Sequence, residues 1–158
     1  SYTNQLADAL GADLVNHAIG GDRFHANHID EEMNYTPDVI TVAYGTNDWS
    51  GAERENFVRE MPEFLEKLAN CYPKAKIFVI TPIWRHDSNR ITKCGFTFEE
   101  ARQFIADEAG KYANMTVIDG IKLTPHVREF YSDLHLHPND FGFMVYAKSL
   151  IAEIVKYL

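Results

Sequence analysis

Residues 39–48 read Val-Ile-Thr-Val-Ala-Tyr-Gly-Thr-Asn-Asp, and this stretch decides the fold. Val39, Ile40, Thr41 and Val42 are all β-branched, which stiffens the side chains and suits a strand buried on both faces. Pro37 precedes the run and Gly45 breaks it. A strand without polar alternation belongs in a parallel sheet covered by helices rather than in a half-exposed hairpin.

The pattern outward from it agrees. Upstream, Tyr2 to Leu10 carries Leu6, Ala9 and Leu10 on one helical face, with Gly11 as a stop. Asp13 to Ile19 reads as a short strand running into Gly20-Gly21, and Arg23 to Met33 as a polar helix. Downstream, Glu53 to Asn70 is an amphipathic helix with Phe57, Met61, Phe64, Leu65 and Leu68, and Pro62 predicts a kink or a break. Lys76 to Ile80 is the next strand, after Pro73. Trp84 to Cys94 is loop-like. Thr97 is a good N-cap, with Glu99 and Glu100 in the first turn of a helix reaching about Tyr112. Met115 to Ile118 is another strand. Asp140 to Tyr157 is the last helix, with Met144, Ala147, Ile151 and Ile154 toward the core. Strands alternating with helices predict one α/β domain over residues 1–158, with a parallel sheet and functional loops at the carboxyl ends of its strands.

Composition sets the outer limits. The chain has 158 residues, 46% hydrophobic and 24% charged, which is ordinary globular material. Its formal net charge of −8 argues against a nucleic-acid partner, since phosphate binding wants a basic face. No apolar run approaches the roughly 20 residues of a membrane span. Cys71 and Cys94 form neither a CxxC site nor a disulfide framework. Ser1 opens no secretory leader.

Several residues at the strand ends could carry chemistry. His137 lies in Asp133-Leu-His-Leu-His-Pro-Asn-Asp140, just before a helix. A histidine beside a carboxylate can serve as an oriented general base; the competing reading is a loop histidine with no task. Asn47 can donate a side-chain N–H to an oxyanion, and Gly21 a backbone N–H; the competing reading of Gly-Thr-Asn-Asp is simply a turn. Trp49 and Trp84 follow strand ends and suit the wall of a substrate site, or core packing. His25 and His28 are one helical turn apart, but no third metal ligand is evident, so they read as solvent-facing and no metal is expected.

Here the chain resembles the SGNH hydrolases, the GDSL-type esterases and lipases. Asn16-His-Ala-Ile-Gly-Gly-Asp22 is similar to the family's second block, whose glycine gives a backbone N–H to the oxyanion; Gly21 is the matching position. Tyr44-Gly-Thr-Asn-Asp48 matches the GxND block, whose asparagine gives its side-chain amide, here Asn47. His137-Pro138-Asn139 matches the last block, whose histidine is the catalytic base. The resemblance covers essentially the whole chain. It implies a three-layer α/β/α, flavodoxin-like parallel sheet, with His137 facing Gly21 and Asn47.

Two departures stand out. The family usually places an aspartate three residues before the histidine, where this chain has Leu134. Asp133, four residues before, is the expected partner of His137, with Asp140 in reserve and His135 as a competing base. The second departure is the nucleophile. The family's first block is a strand ending in GDS, and no GDS occurs here. Ser1, Ser50, Ser88, Ser132 and Ser149 are the only serines, and none follows a hydrophobic strand in that way. The first strand and its serine are therefore expected upstream of residue 1. Asp13–Ile19 and Val39–Tyr44 should then flank an unfilled place in the sheet, about twice the usual 4.8 Å strand spacing. Their orphaned backbone groups should leave the 158 residues unable to fold or turn over substrate alone.

The resemblance implies hydrolysis of a carboxylic ester through an acyl-serine, with no cofactor and with a small-molecule or carbohydrate ester as substrate. Thr81-Pro-Ile-Trp-Arg85 is similar to members acting on small acyl groups such as acetyl. The alternative is a non-catalytic ligand- or carbohydrate-binding module that keeps the pocket without the nucleophile.

Overall fold

The computed structural model describes residues 1–158. Three parallel strands form its sheet in the order β1 (Val39–Val42), β2 (Lys76–Ile80), β3 (Met115–Ile118). Val39 pairs with Lys76 and Val42 with Val79; Ile77 pairs with Met115 and Ile80 with Ile118. β2 is laddered on both sides, and Ile77, Phe78, Val79 and Ile80 are all but inaccessible. β1 is laddered only to β2. Its first three residues stay half-buried despite their β-branched chemistry.

The chain forms two compact units. One contains residues 21–82 and 89–118, including the sheet; the other contains residues 1–20, 83–88 and 119–158. In the sheet unit, α3 (Arg54–Cys71) connects β1 to β2 and α4 (Phe98–Ala109) connects β2 to β3. Both crossovers run in the same sense along the sheet, so a common right-handedness sets the two helices on one face, where they touch. α3 buries Phe57, Met61, Phe64, Leu65 and Leu68, the residues whose 3.6-residue spacing predicts a helix. Pro62 lies inside it, yet the helix is one piece of 18 residues. α4 starts where Thr97 predicts. The Thr97 side chain accepts from the Glu100 N–H at 3.1 Å, and the Glu100 carboxylate accepts from the Thr97 N–H at 2.7 Å.

In the other unit, α1 (Tyr2–Leu10) packs against α5 (Asp140–Ile154), with the Tyr2 and Tyr146 rings 4.5 Å apart. Gly11 ends α1 in the left-handed conformation, φ 61°. The inward face of α5 differs from the expected one. Tyr146, Ala147, Leu150 and Ile154 are buried, whereas Met144 is 53% exposed. Gly142 in the first turn of α5 decides that docking, because a Cβ there would run into the Phe130 carbonyl oxygen and the Pro138 ring. Gly142→Ala should therefore destabilise the protein by about 1–3 kcal/mol, the usual range for overpacking, read as a lower urea midpoint at unchanged slope.

Two expected elements are not formed as predicted. Asp13–Ile19 is not a strand; it joins no ladder, and Leu14, Val15 and Ile19 are 43–65% exposed. An extended segment is held only by a neighbour's hydrogen bonds, and here its local hydrophobicity has nothing to pair with. Arg23–Met33 is not a helix but an irregular segment with one 3₁₀ turn, Ala26–His28. Buried Phe24 and Ile29 hold it in place, so packing overrides its helix-like polarity. Gly-Thr-Asn-Asp opens a short helix, α2 (Thr46–Gly51), rather than a plain turn. No helix is long and apolar enough to cross a membrane. Cys71 and Cys94 are free thiols.

Candidate active site

The unit containing α5 holds the histidine and its carboxylate. The segment from Tyr131 to Pro138 closes on itself through an antiparallel bridge between those two residues and a Ser132 N–H bond to the His137 carbonyl at 2.8 Å. Within it, Asp133 is the hub. One carboxylate oxygen accepts three successive backbone N–H groups, from His135 at 3.0 Å, Leu136 at 2.8 Å and His137 at 3.1 Å. The other lies 2.6 Å from His137 Nδ1. Leu134 makes this possible by adopting φ 62°, a left-handed conformation that costs a non-glycine residue about 1–3 kcal/mol. That is how the extra residue between the aspartate and the histidine is absorbed. The Leu134 side chain is half-exposed.

Burial works against the Asp133 charge, but the Leu136 and His135 N–H groups, the His137 ring and the His137 N–H outweigh it. They hold the carboxyl well below the usual carboxylate range. Its contribution to stability is present above the ordinary aspartate pKa and is lost only in strong acid, so Asp133 is a carboxylate at any working pH. With Nδ1 facing that carboxylate, Nε2 of His137 is left as the proton acceptor, and the ring is 73% exposed.

The alternatives for these roles separate cleanly. His135 Nδ1 is 3.6 Å from the oxygen that already takes three N–H groups, and 3.1 Å from the Asp133 carbonyl. Asp140 lies in the first turn of α5, and the cap itself is Asn139, whose side chain accepts from the Gly142 N–H at 3.0 Å and donates to the Glu129 carbonyl at 2.7 Å. Trp84 is half-buried in the same unit, its ring stacked on His126 at 5.7 Å and tilted against Tyr131 at 5.1 Å. Arg85 beside it is buried and forked onto Asp87 at 2.6 and 3.0 Å.

The sheet unit holds Gly21 and Asn47. Gly21 has φ 82°, which an L side chain rarely adopts, and lies exposed in the loop before Phe24. Asn47 is the second residue of α2, just past the carboxyl end of β1. Its side-chain amide donates to the Asp22 carbonyl at 2.9 Å, so one N–H is spent and the other remains. Asp48, the next residue, accepts from the Phe24 N–H at 3.2 Å. These two bonds lace the Gly21 loop to α2 on both sides.

Trp49 is not a substrate-site residue. It is fully buried, donates its indole N–H to the Phe96 carbonyl at 3.0 Å and stands edge-on to Phe98 at 5.0 Å. As the fourth residue of α2 it points its side chain into the core. His25 and His28 are not bare surface histidines either. His25 Nδ1 is 2.7 Å from Glu60 and His28 Nδ1 is 3.1 Å from Asp22. No group of three metal-ligating side chains exists.

Asp48 is a buried acid that the sequence does not flag. It is 2% exposed, and one carboxylate oxygen has no hydrogen-bond partner. Burial pushes its pKa up to about 6, against the pull of the Phe24 N–H and the Arg23 charge. The folded protein thus binds this proton more tightly than the unfolded chain. The stabilising contribution is full below about pH 4 and lost as pH rises through about 6, on the order of 3 kcal/mol in all. Asp48→Asn should remove that decline. Thermal midpoints of the variant measured across pH 4–7 should lack the fall expected for the natural protein.

Comparison with known proteins bears on the fold and the family. No curated sequence matches the chain at a significant level. Among solved structures, a protein from Lactobacillus plantarum superposes with a TM-score of 0.77 at 19% identity, covering 99% of this chain and 88% of its own. A protein of Parabacteroides merdae assigned as a GDSL-like lipase gives 0.70 at 19% identity, covering 96% and 78%. A carbohydrate esterase family 3 enzyme from Talaromyces cellulolyticus gives 0.57 at 18% identity, covering 76% and 58%. At such identities the likeness is one of fold. The model of the GDSL-like lipase/acylhydrolase family matches residues 1–144. With Gly21, Asn47 and the Asp133–His137 pair all inside that span, the chain belongs to the GDSL-like lipase/acylhydrolase family.

Proposed function

We propose that this protein hydrolyses carboxylic esters of small acyl groups, acetyl foremost, through an acyl-serine intermediate. The observation that carries the proposal is the Asp133–His137 pair, a 2.6 Å contact with the imidazole otherwise open to solvent. In this reading a serine hydroxyl attacks the ester carbonyl while His137 Nε2 takes its proton. Asp133 holds the tautomer and offsets the imidazolium charge. The Gly21 N–H and the spare N–H of Asn47 stabilise the tetrahedral oxyanion. Collapse expels the alcohol, protonated by His137, and water repeats the sequence to release the acid.

The serine is supplied by chain outside these 158 residues. Two observations support this. Ser132 is the nearest hydroxyl in sequence to His137, but it donates to the His137 carbonyl at 3.0 Å rather than to the ring. Ser50 faces the Asn47 carbonyl, and neither residue ends a strand. β1 also has an unpaired edge, where a further parallel strand could end near α2. A carbohydrate alcohol is favoured on the leaving side by the half-buried Trp84 ring beside the histidine loop, and by the fold shared with a carbohydrate esterase.

The test is to treat the protein, purified from its native host, with a fluorophosphonate and to map the adduct by mass spectrometry alongside p-nitrophenyl acetate hydrolysis. The expected result is one adduct on a serine outside residues 1–158, with loss of activity. An adduct on Ser132 would overturn the assignment of the nucleophile. No adduct and no hydrolysis would leave the binding module as the reading.

A further inference from the structure

Asp22 sits between the two residues proposed to hold the oxyanion, and it is fixed at both of its ends. Its backbone carbonyl accepts from the Asn47 side-chain amide at 2.9 Å. Its carboxylate takes the Tyr44 hydroxyl at 3.3 Å and lies 3.1 Å from His28 Nδ1 on the same oxygen. The two partners of that oxygen differ in how they are held. The Tyr44 ring is wedged edge-on between Phe24 at 5.5 Å and Phe64 at 5.7 Å, so the core places its hydroxyl. His28 ends the 3₁₀ turn, with its side chain 35% exposed. Its ring meets that of His25 edge-on at 5.1 Å, and His25 is anchored 2.7 Å from Glu60 on α3. Buried Phe24 and Ile29 pin the segment on either side.

We propose that His28 is a positioning residue: through the Asp22 carboxylate it fixes the Asp22 carbonyl, which in turn aims the Asn47 amide. Its catalytic meaning rests on the reading of Asn47 as an oxyanion donor. A partly exposed ion pair adds little to stability. Its effect here comes from where it acts. Gly21, with its positive φ, has no side chain to pack, and beside the Phe24 N–H bond to Asp48 the carbonyl and the carboxylate of the next residue restrain the loop. A loop at such a glycine must be braced from outside to hold donors within the fraction of an ångström that transition-state stabilisation requires. Tyr44 alone gives the carboxylate one anchor and leaves it free to rotate about that bond. His28 meets the same oxygen from a second direction, which narrows the positions open to it.

The experiment reads the Asn47 side-chain amide directly by ¹H–¹⁵N NMR, with Asn47→Ala to assign the signal. Variants are His28→Ala and His28→Asn, whose amide can still donate to Asp22. His28→Ala should shift or broaden the Asn47 signals, leave the melting temperature within a few degrees and lower kcat for p-nitrophenyl acetate roughly tenfold to a hundredfold with KM unchanged. His28→Asn should restore both readouts. If His28→Ala fails to fold, Asp22→Asn, which keeps the carbonyl, should move the same signals. Asn47 signals that stay put in the folded variant overturn the proposal, whatever the activity. Signals that move while kcat does not, or in a protein without esterase activity, uphold the brace and defeat the oxyanion reading of Asn47 instead.

Discussion

Asp133→Asn should lower kcat about 10⁴-fold, the loss typical when the acid of such a triad becomes an amide. The structure explains why the effect is chemical rather than structural. The asparagine oxygen can still accept the N–H groups of His135, Leu136 and His137, the three bonds that shape the loop. The other position becomes an NH₂ facing His137 Nδ1, where a carboxylate oxygen stood at 2.6 Å. A donor there demands a lone pair on Nδ1, which puts the ring proton on Nε2 and leaves nothing to accept the serine proton. KM should change little, and the melting temperature should stay near that of the natural protein. His135→Gln is the matched control and should keep activity within a few-fold, because that ring has no bond to the second carboxylate oxygen. A loss under tenfold for Asp133→Asn would show that another group orients His137.

Asn47→Ala should cost about 10²- to 10³-fold in kcat, the usual loss of one oxyanion donor. The side chain has two N–H groups, and the Asp22 carbonyl holds one at 2.9 Å. The bond that orients the amide is therefore distinct from the one offered to substrate. Truncation removes both and also leaves the Asp22 carbonyl without that donor. Asn47→Asp separates the effects less well, since a carboxylate would repel both the carbonyl and the oxyanion. A fall in kcat at near-constant KM marks an interaction made only in the transition state. A rise in KM with kcat intact would move Asn47 to ground-state binding.

The strands and helices that the residues predict correctly are those whose burial is local and repetitive. Lys76–Ile80 and Met115–Ile118 form as read, and α3 and α4 differ from expectation by a few residues at their ends. Each couples a strong apolar period to a clear stop, such as Pro73, or start, such as Thr97. The segments that went otherwise lack such punctuation. Asp13–Ile19 has strand-like residues but no neighbour to ladder with, and Arg23–Met33 has helical polarity but two buried anchors that hold it irregular.

The site divides in the same way. The motifs around Gly21, Asn47 and His137 can be read in one dimension, because backbone freedom, an amide and an imidazole are intrinsic to the residue types. Where those side chains point depends on their partners, some near in sequence and others distant. Leu134 turns left-handed because Asp133 collects three N–H groups. Trp49 is swallowed by Phe96 and Phe98, and Asp48 loses its water to burial beneath the Gly21 loop. Side-chain chemistry and hydrophobic period are carried by single residues and their near neighbours. Burial and long-range hydrogen-bond partnership exist only once residues tens of positions apart share the same few ångströms, so the tertiary structure alone sets which indole never meets a substrate, whereas the Asp133–His137 pair, four residues apart, is already legible in the sequence.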